Sequence, residues 1–155
     1  VHLPADKPNS IPALLRTKCR IAIKEAEDKE PIVPGTVYFA PPDYHLLVEQ
    51  DRRLSLSNEE PVNFSRPSVD VLFESAADAY GKDLLAIILS GANEDGARGA
   101  RAVREAGGIV VVQSADSAEA SMMPESALTA CPKARAMNLH TLAELLCACG
   151  GTVQC

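Results

Sequence analysis

The chain contains no tryptophan, and its phenylalanines and tyrosines amount to 4% of the residues. There is thus no obvious stacking platform for nucleobases or sugar rings. No apolar run reaches the length of a membrane span, and no signal-peptide pattern opens the chain. Positive charge is in deficit: 15 Lys and Arg face 21 Asp and Glu, for a net charge of −6. Nucleic acid and anionic membrane surfaces are therefore disfavoured as partners. Neither a phosphate-cradling P-loop nor a dinucleotide fingerprint is present. The G-x-S-x-G nucleophile elbow is also missing, since no glycine is followed two positions later by serine. The three histidines, His2, His45 and His140, are far apart. That excludes the HExxH spacing, and no metal or cofactor is expected.

What remains describes a globular domain. A hydrophobic fraction of 46% over 155 residues can fill one core without staples. The first residue is Val1 rather than Met, so an internal start is expected. Five cysteines, at 19, 131, 147, 149 and 155, make an odd count without framework spacing, which fits a reducing cytoplasm. Cys147-Ala148-Cys149 has a metal-pair reading, but small apolar residues on a terminal helix suit the context better.

Pro12 in a first turn, with Ser10 as a cap, predicts a short helix over Ile11–Leu15. Ile21–Ile23 reads as a strand leading into an acidic stretch. After the Pro34-Gly35 turn, residues 36–40 have strand propensity, and 45–50 with 54–57 flank Asp51-Arg52-Arg53 as a hairpin. The whole block 36–57 is read as an antiparallel excursion. Val69, Leu72, Phe73, Ala76, Ala77 and Tyr80 then recur at helical spacing, ending at Gly81. Residues 84–89 form a continuous apolar run, as expected of a parallel strand covered on both faces. A glycine-bearing loop, a helix from about Glu94 to Ala106 and a second buried strand, 109–112, follow. Two helices, 124–130 and 140–149, close the chain. Strand–helix–strand order predicts a doubly wound, three-layer α/β/α domain with a mostly parallel sheet and an antiparallel hairpin excursion.

In such sheets chemistry sits beyond the C-terminal strand ends. Asp95 lies there, in Ser90-Gly91-Ala92-Asn93-Glu94-Asp95-Gly96-Ala97. It either caps the following helix or orients an imidazole. Backbone N–H groups around Ala92 are placed to stabilise a developing oxyanion. His2 follows Val1, a candidate strand end, and is the one histidine expected to reach the same crevice. His45 and His140 read as structural. Ser10, Ser68 and Ser126 read as helix-start residues, and Ser90 has no elbow around it. His2 and Asp95 thus form two thirds of a hydrolytic triad with no visible nucleophile. Arg98, Arg101 and Arg104 mark one helix face, solvated by default, with docking of an acidic partner as the alternative.

Five ordered motifs carry a family resemblance. They are Val1-His2-Leu3-Pro4, Pro34 through His45, Arg66-Pro67-Ser68-Val69-Asp70-Val71-Leu72-Phe73, Ile88-Leu89-Ser90-Gly91 with Asp95-Gly96-Ala97, and Met123-Pro124-Glu125-Ser126-Ala127. Together they resemble the catalytic domain of CheB-type protein-glutamate methylesterases, over Val1 to roughly residue 146, with 147–155 as a tail. The resemblance implies hydrolysis of glutamate methyl esters on chemoreceptor signalling helices during chemotaxis adaptation, and in many members glutamine deamidation. It implies a Ser–His–Asp triad in which the histidine falls on His2 and the aspartate on Asp95. The family's serine, in a glycine-flanked loop after the first strand, would precede Val1. The 155 residues alone are therefore expected to be inactive, and the sheet is expected to lack a central member and expose an apolar edge. Where the family commonly has Gly-Met-Gly, this chain has Gly91-Ala92-Asn93, a change that a backbone donor at Ala92 survives. Receiver or methyltransferase domains are expected companions in the full-length protein. A non-catalytic docking module of a larger sensory protein is the alternative.

Overall fold

The computed structural model describes residues 10–17 and 21–149. A short helix, α1 (Ile11–Arg16), leads to strand β1 (Ala22–Glu25), which pairs in parallel with β2 (Thr36–Phe39). The connection between them, residues 26–35, ends in a turn with Gly35 at φ +75° just before β2. Strands β3 (His45–Val48) and β4 (Leu54–Ser57) form an antiparallel hairpin. The antiparallel excursion is therefore confined to 45–57. Residues 36–39 belong to a parallel pair instead, because Ile23 stands opposite Val37 in the β1 register.

Helix α2 (Val69–Tyr80) follows a cis Arg66–Pro67 bond. It buries Ala76 and Ala77 and ends at Gly81, whose N–H donates to the Ala77 carbonyl at φ +54°. Strand β5 (Leu85–Ile88), helix α3 (Ala97–Glu105), strand β6 (Ile109–Gln113), helix α4 (Met122–Ala130), strand β7 (Arg135–Met137) and helix α5 (Leu139–Cys149) complete the order. β5, β6 and β7 form one parallel sheet in that order.

The main core lies between this sheet and α2, α3 and α4. Ala86 and Ile88 from β5, Val110 and Val112 from β6, and Ala100 and Val103 from α3 meet there, with Met123, Ala127 and Cys131. Each fully buried valine or isoleucine side chain contributes about 1.5–3 kcal/mol, and each alanine methyl less. A smaller core of Ala26, Leu46 and Leu54 lies under the hairpin, and Leu72 of α2 packs on it. Helix α2 therefore joins both cores. β6 is covered on both faces, with Val110, Val111 and Val112 all buried. β5 is not: Ala86 and Ile88 are buried, but Ile87 is half-buried and Leu89 is 49% exposed. Among the described residues β5 also has a ladder partner on one side only, β6.

Candidate active site

The loop after β5 is built by three local constraints. Gly91 lies so close to Met123 that an added Cβ would stand 2.5 Å from its Cε. Its N–H donates to the Ala120 carbonyl and its own carbonyl accepts from the Met123 N–H, both at 3.0 Å. Asn93 then makes a local turn in which its Oδ1 accepts the Asp95 N–H at 3.1 Å. Asn93 keeps a negative φ, so this turn does not require the glycine that the family commonly has there. Gly96 takes φ +96°, and a Cβ there would meet Val69 Cγ1 at 2.9 Å. That left-handed residue stops helical geometry from reaching back to Glu94, so α3 begins at Ala97, three residues later than its sequence pattern indicates.

Asp95 is completely buried. It does not cap its own helix, as its position before α3 led one to expect. Its carboxylate instead caps α2: Oδ2 accepts the Val69 N–H at 2.6 Å, and Oδ1 accepts the Asp70 N–H at 3.1 Å. Oδ1 also accepts the Ser68 hydroxyl at 2.7 Å. The first two donors are orphan N–H groups of a helix N-terminus, where the positive dipole end favours a carboxylate. Asp70 returns the exchange. Its Oδ1 accepts the Gly99 N–H of α3 at 2.7 Å, and its Oδ2 accepts from the Asn63 amide at 3.0 Å. The two helix starts thus cap one another through two buried aspartates. A residue without a Cβ is needed at 99, since a Cβ would stand 2.6 Å from Phe73 Cβ.

Beside this carboxylate lies a cleft of about 560 Å³, walled by Val69, Ile87, Leu89, Ser90, Ala92 and Met123 among others. It occupies the uncovered face of β5 at the strand's C-terminal end. The Ala92 N–H, on the wall of this cleft, has no hydrogen-bond partner among the described residues. A depression of about 620 Å³ between Glu94 and α4 lies over helix surfaces rather than a strand end. The structure therefore brings Asp95 and Ala92 together on one loop. His2 lies outside the described residues.

The other candidates occupy structural positions. The Ser90 hydroxyl accepts the Ala120 N–H at 2.9 Å and donates to the Ala120 carbonyl at 3.3 Å. Its own N–H is held by the buried Gln113 side chain at 2.8 Å. Of the α3 arginines, Arg98 pairs with Glu74 at 2.5 Å, Arg101 lies 3.9 Å from Glu105, and Arg104 donates to the Gly108 carbonyl at 2.8 Å. They form a self-satisfied surface. Two residues that the sequence assigned to structural places, His45 and Ser68, lie against Asp95 and its cap. His45 is buried beside the Ser68 backbone, and the Ser68 hydroxyl turns away from capping α2 towards Asp95. Neither residue carries a sequence signal beyond its place in a motif.

Known proteins share this architecture. A family model described as CheB methylesterase matches residues 1–146. A Leptospira interrogans protein, whose name couples protein-glutamate methylesterase with protein-glutamine glutaminase, is 51% identical over 132 residues, covering 85% of this chain and 68% of its own. A Cupriavidus metallidurans protein-glutamate methylesterase/protein-glutamine glutaminase is 42% identical over 146 residues, and this chain spans 41% of its length. The crystal structure of the Thermotoga maritima CheB methylesterase catalytic domain superposes with a TM-score of 0.88 at 30% identity, covering 96% of this chain and 80% of that one. This chain has the three-layer α/β/α fold of that domain. With a family model spanning nearly the whole chain and the same fold around the loop of Asp95, the protein belongs to the CheB methylesterase family.

Proposed function

We propose that the protein hydrolyses glutamate γ-methyl esters on the cytoplasmic helices of chemoreceptors, and the corresponding glutamine amides, by acyl transfer through a Ser–His–Asp triad. The observation that carries this reading is the buried carboxylate of Asp95, held by Ser68, Val69 and Asp70 beside a strand-end cleft on whose wall the Ala92 N–H has no partner among the described residues. An orienting aspartate in a triad must be buried, fixed and next to the reacting centre. Ser68 and the first two residues of α2 hold the carboxylate from one side, and the triad reading assigns the Nδ1–H of His2 as a further donor to it.

The roles follow from chemistry. The nucleophile in this reading is the serine that the family carries in a glycine-flanked loop, a motif with no counterpart in this sequence. The serine oxygen attacks the ester carbonyl as its proton passes to His2 Nε2. The new oxyanion accepts from the Ala92 N–H. Collapse expels methanol, which takes the proton back from His2. Water, deprotonated by His2, then releases the glutamate and regenerates the serine. For a glutamine substrate, ammonia leaves in place of methanol. Asp95 holds the His2 tautomer and stabilises the imidazolium throughout. The apolar walls of the cleft suit an uncharged methyl ester better than its carboxylate product.

The test is methanol release from methylated receptor by the intact protein. His2→Ala and Asp95→Asn are each expected to lower kcat by about 10⁴-fold or more. Wild-type turnover in either variant overturns the triad assignment.

A further inference from the structure

Resting on the reading of Asp95 as the imidazole-orienting carboxylate, we infer that His45 is a positioning residue for the reaction, acting through Ser68. His45 is 1% exposed, Ser68 2% and Asp95 0%. The three connect in one direction. His45 Nε2 lies 3.1 Å from the Glu60 carbonyl, and the Ser68 N–H donates to His45 Nδ1 at 3.2 Å. The Ser68 hydroxyl then donates to Asp95 Oδ1 at 2.7 Å.

The partners determine the tautomer. A backbone N–H requires a bare acceptor nitrogen at Nδ1, and a carbonyl requires an N–H at Nε2. His45 is therefore neutral with its proton on Nε2. Ser68 stands just before α2 in extended geometry, at φ −106° and ψ 139°, and makes no side-chain cap to its own helix. An N-cap serine normally spends its oxygen on the N–H groups of its own first turn. Here Asp95 takes those groups, and the Ser68 hydroxyl is free to grip Asp95. What fixes the rotation of the Ser68 peptide is its N–H bond to His45, which sits on β3 of the hairpin. The hairpin thus reaches the catalytic carboxylate through one imidazole and one hydroxyl. A carboxylate displaced by a fraction of an ångström misdirects the histidine it orients, and such misplacement costs turnover more than substrate binding.

The test uses a pair of substitutions in the intact protein, read by methanol release from methylated receptor. In His45→Asn the amide oxygen, attached like Nδ1 to Cγ, still accepts from Ser68. In His45→Gln the longer amide keeps the Glu60 contact but leaves no acceptor at the Nδ1 place. His45→Asn is expected to keep kcat within about 3-fold of wild type, and His45→Gln to lower it by roughly 10–100-fold, with KM changed less than about 2-fold in both. Equal kcat in the two variants, or a loss confined to KM, overturns the inference. Asp95→Asn runs alongside. If it is inactive while His45→Gln is normal, the His45 role alone fails; if it is fully active, the triad reading fails first. A measurement without any variant covers the case of misfolding. The imidazole ¹⁵N shifts of the wild-type protein are expected to show His45 protonated at Nε2 and bare at Nδ1. A proton on Nδ1 would refute the assignment.

Discussion

At the scale of single residues, the loop sequence pointed to Asp95 and left two roles open, a cap for the following helix or a support for an imidazole. Glycines at 91 and 96 flank an acidic pair after an apolar strand, and the structure gives each glycine a steric reason. What the sequence hid is the direction in which Asp95 acts. Capping rules are local, and they read an acid before a helix as serving that helix. Asp95 serves a helix that starts 26 residues earlier in the chain, at Val69. His45 was hidden for the same reason, since its partners Glu60 and Ser68 are distant and reached through backbone atoms that no motif displays. Gly96 offers the sharpest residue-level test. At φ +96°, an alanine costs about 1–2 kcal/mol in left-handed strain, and its Cβ also presses on Val69 at 2.9 Å. Gly96→Ala is expected to lower Tm by about 2–8 °C in a thermal melt. An unchanged Tm would mean that the loop relaxes without strain.

Helices and long strands were legible at the scale of elements, because periodicity reports burial directly. Helix α2 matches its apolar spacing, and β6 matches its four-residue apolar run. One element and one pairing were not legible. β7 is three residues long, with Arg135 and Ala136 exposed, so it has no hydrophobic pattern to read. β2 follows a turn and precedes a hairpin, and nothing local reveals that its partner is the upstream β1. The segment between β1 and β2 is instead tied to the hairpin. The Leu54 N–H donates to the Glu30 carbonyl at 2.8 Å, and the Ile32 N–H donates to the Arg52 carbonyl at 3.1 Å. Charges reinforce this seam. Lys24 is pushed up to about 12 by hydrogen bonds from its ammonium to Glu27 and then Glu30. Burial acts to raise the Glu30 carboxyl, but the Glu27 N–H and the Lys24 ammonium together hold it below its ordinary 4.5. Glu49 is lowered from 4.5 by the Ser55 hydroxyl and then by the Lys29 ammonium. A carboxylate whose value is depressed in the folded state stabilises that state above its unfolded value and ceases to do so as pH falls through its folded value. The seam is therefore expected to loosen as pH drops below 4.5, while the β6 ladder stays closed. Amide exchange at Ile32 and Leu54, corrected for intrinsic rates, is expected to rise there relative to Val111. Constant ratios across that range would show that these ion pairs add nothing, as is common for exposed pairs.

At the scale of the whole molecule, the α/β/α class was legible from the order of elements, and it is the class of the Thermotoga maritima catalytic domain. The division of the interior was not. Two separate cores lie side by side, and α2 is the element common to both, with Leu72 on the hairpin core and Phe73 and Ala77 on the sheet core. Successive residues of one helix facing two cores blur the amphipathic pattern, which is why the periodicity showed one apolar face and no bifurcation. The same helix receives the carboxylate of Asp95 at its start, so the stability of both cores and the geometry of the site share one rigid body. If α2 couples them, damage to one core must be felt in the other. Leu72→Ala removes the Cγ and both Cδ methyls from the hairpin-core packing and is expected to cost up to about 2–3 kcal/mol, the lower part of the usual range, because Leu72 is only partly buried. In native-state hydrogen exchange, the amides of β3–β4 and those of β5–β6 are then expected to lose protection by the same free energy, as one cooperative unit. Loss confined to β3–β4 would show that the hairpin core opens by itself, and the path from His45 to Asp95 would then cross a boundary between two independent parts of the fold.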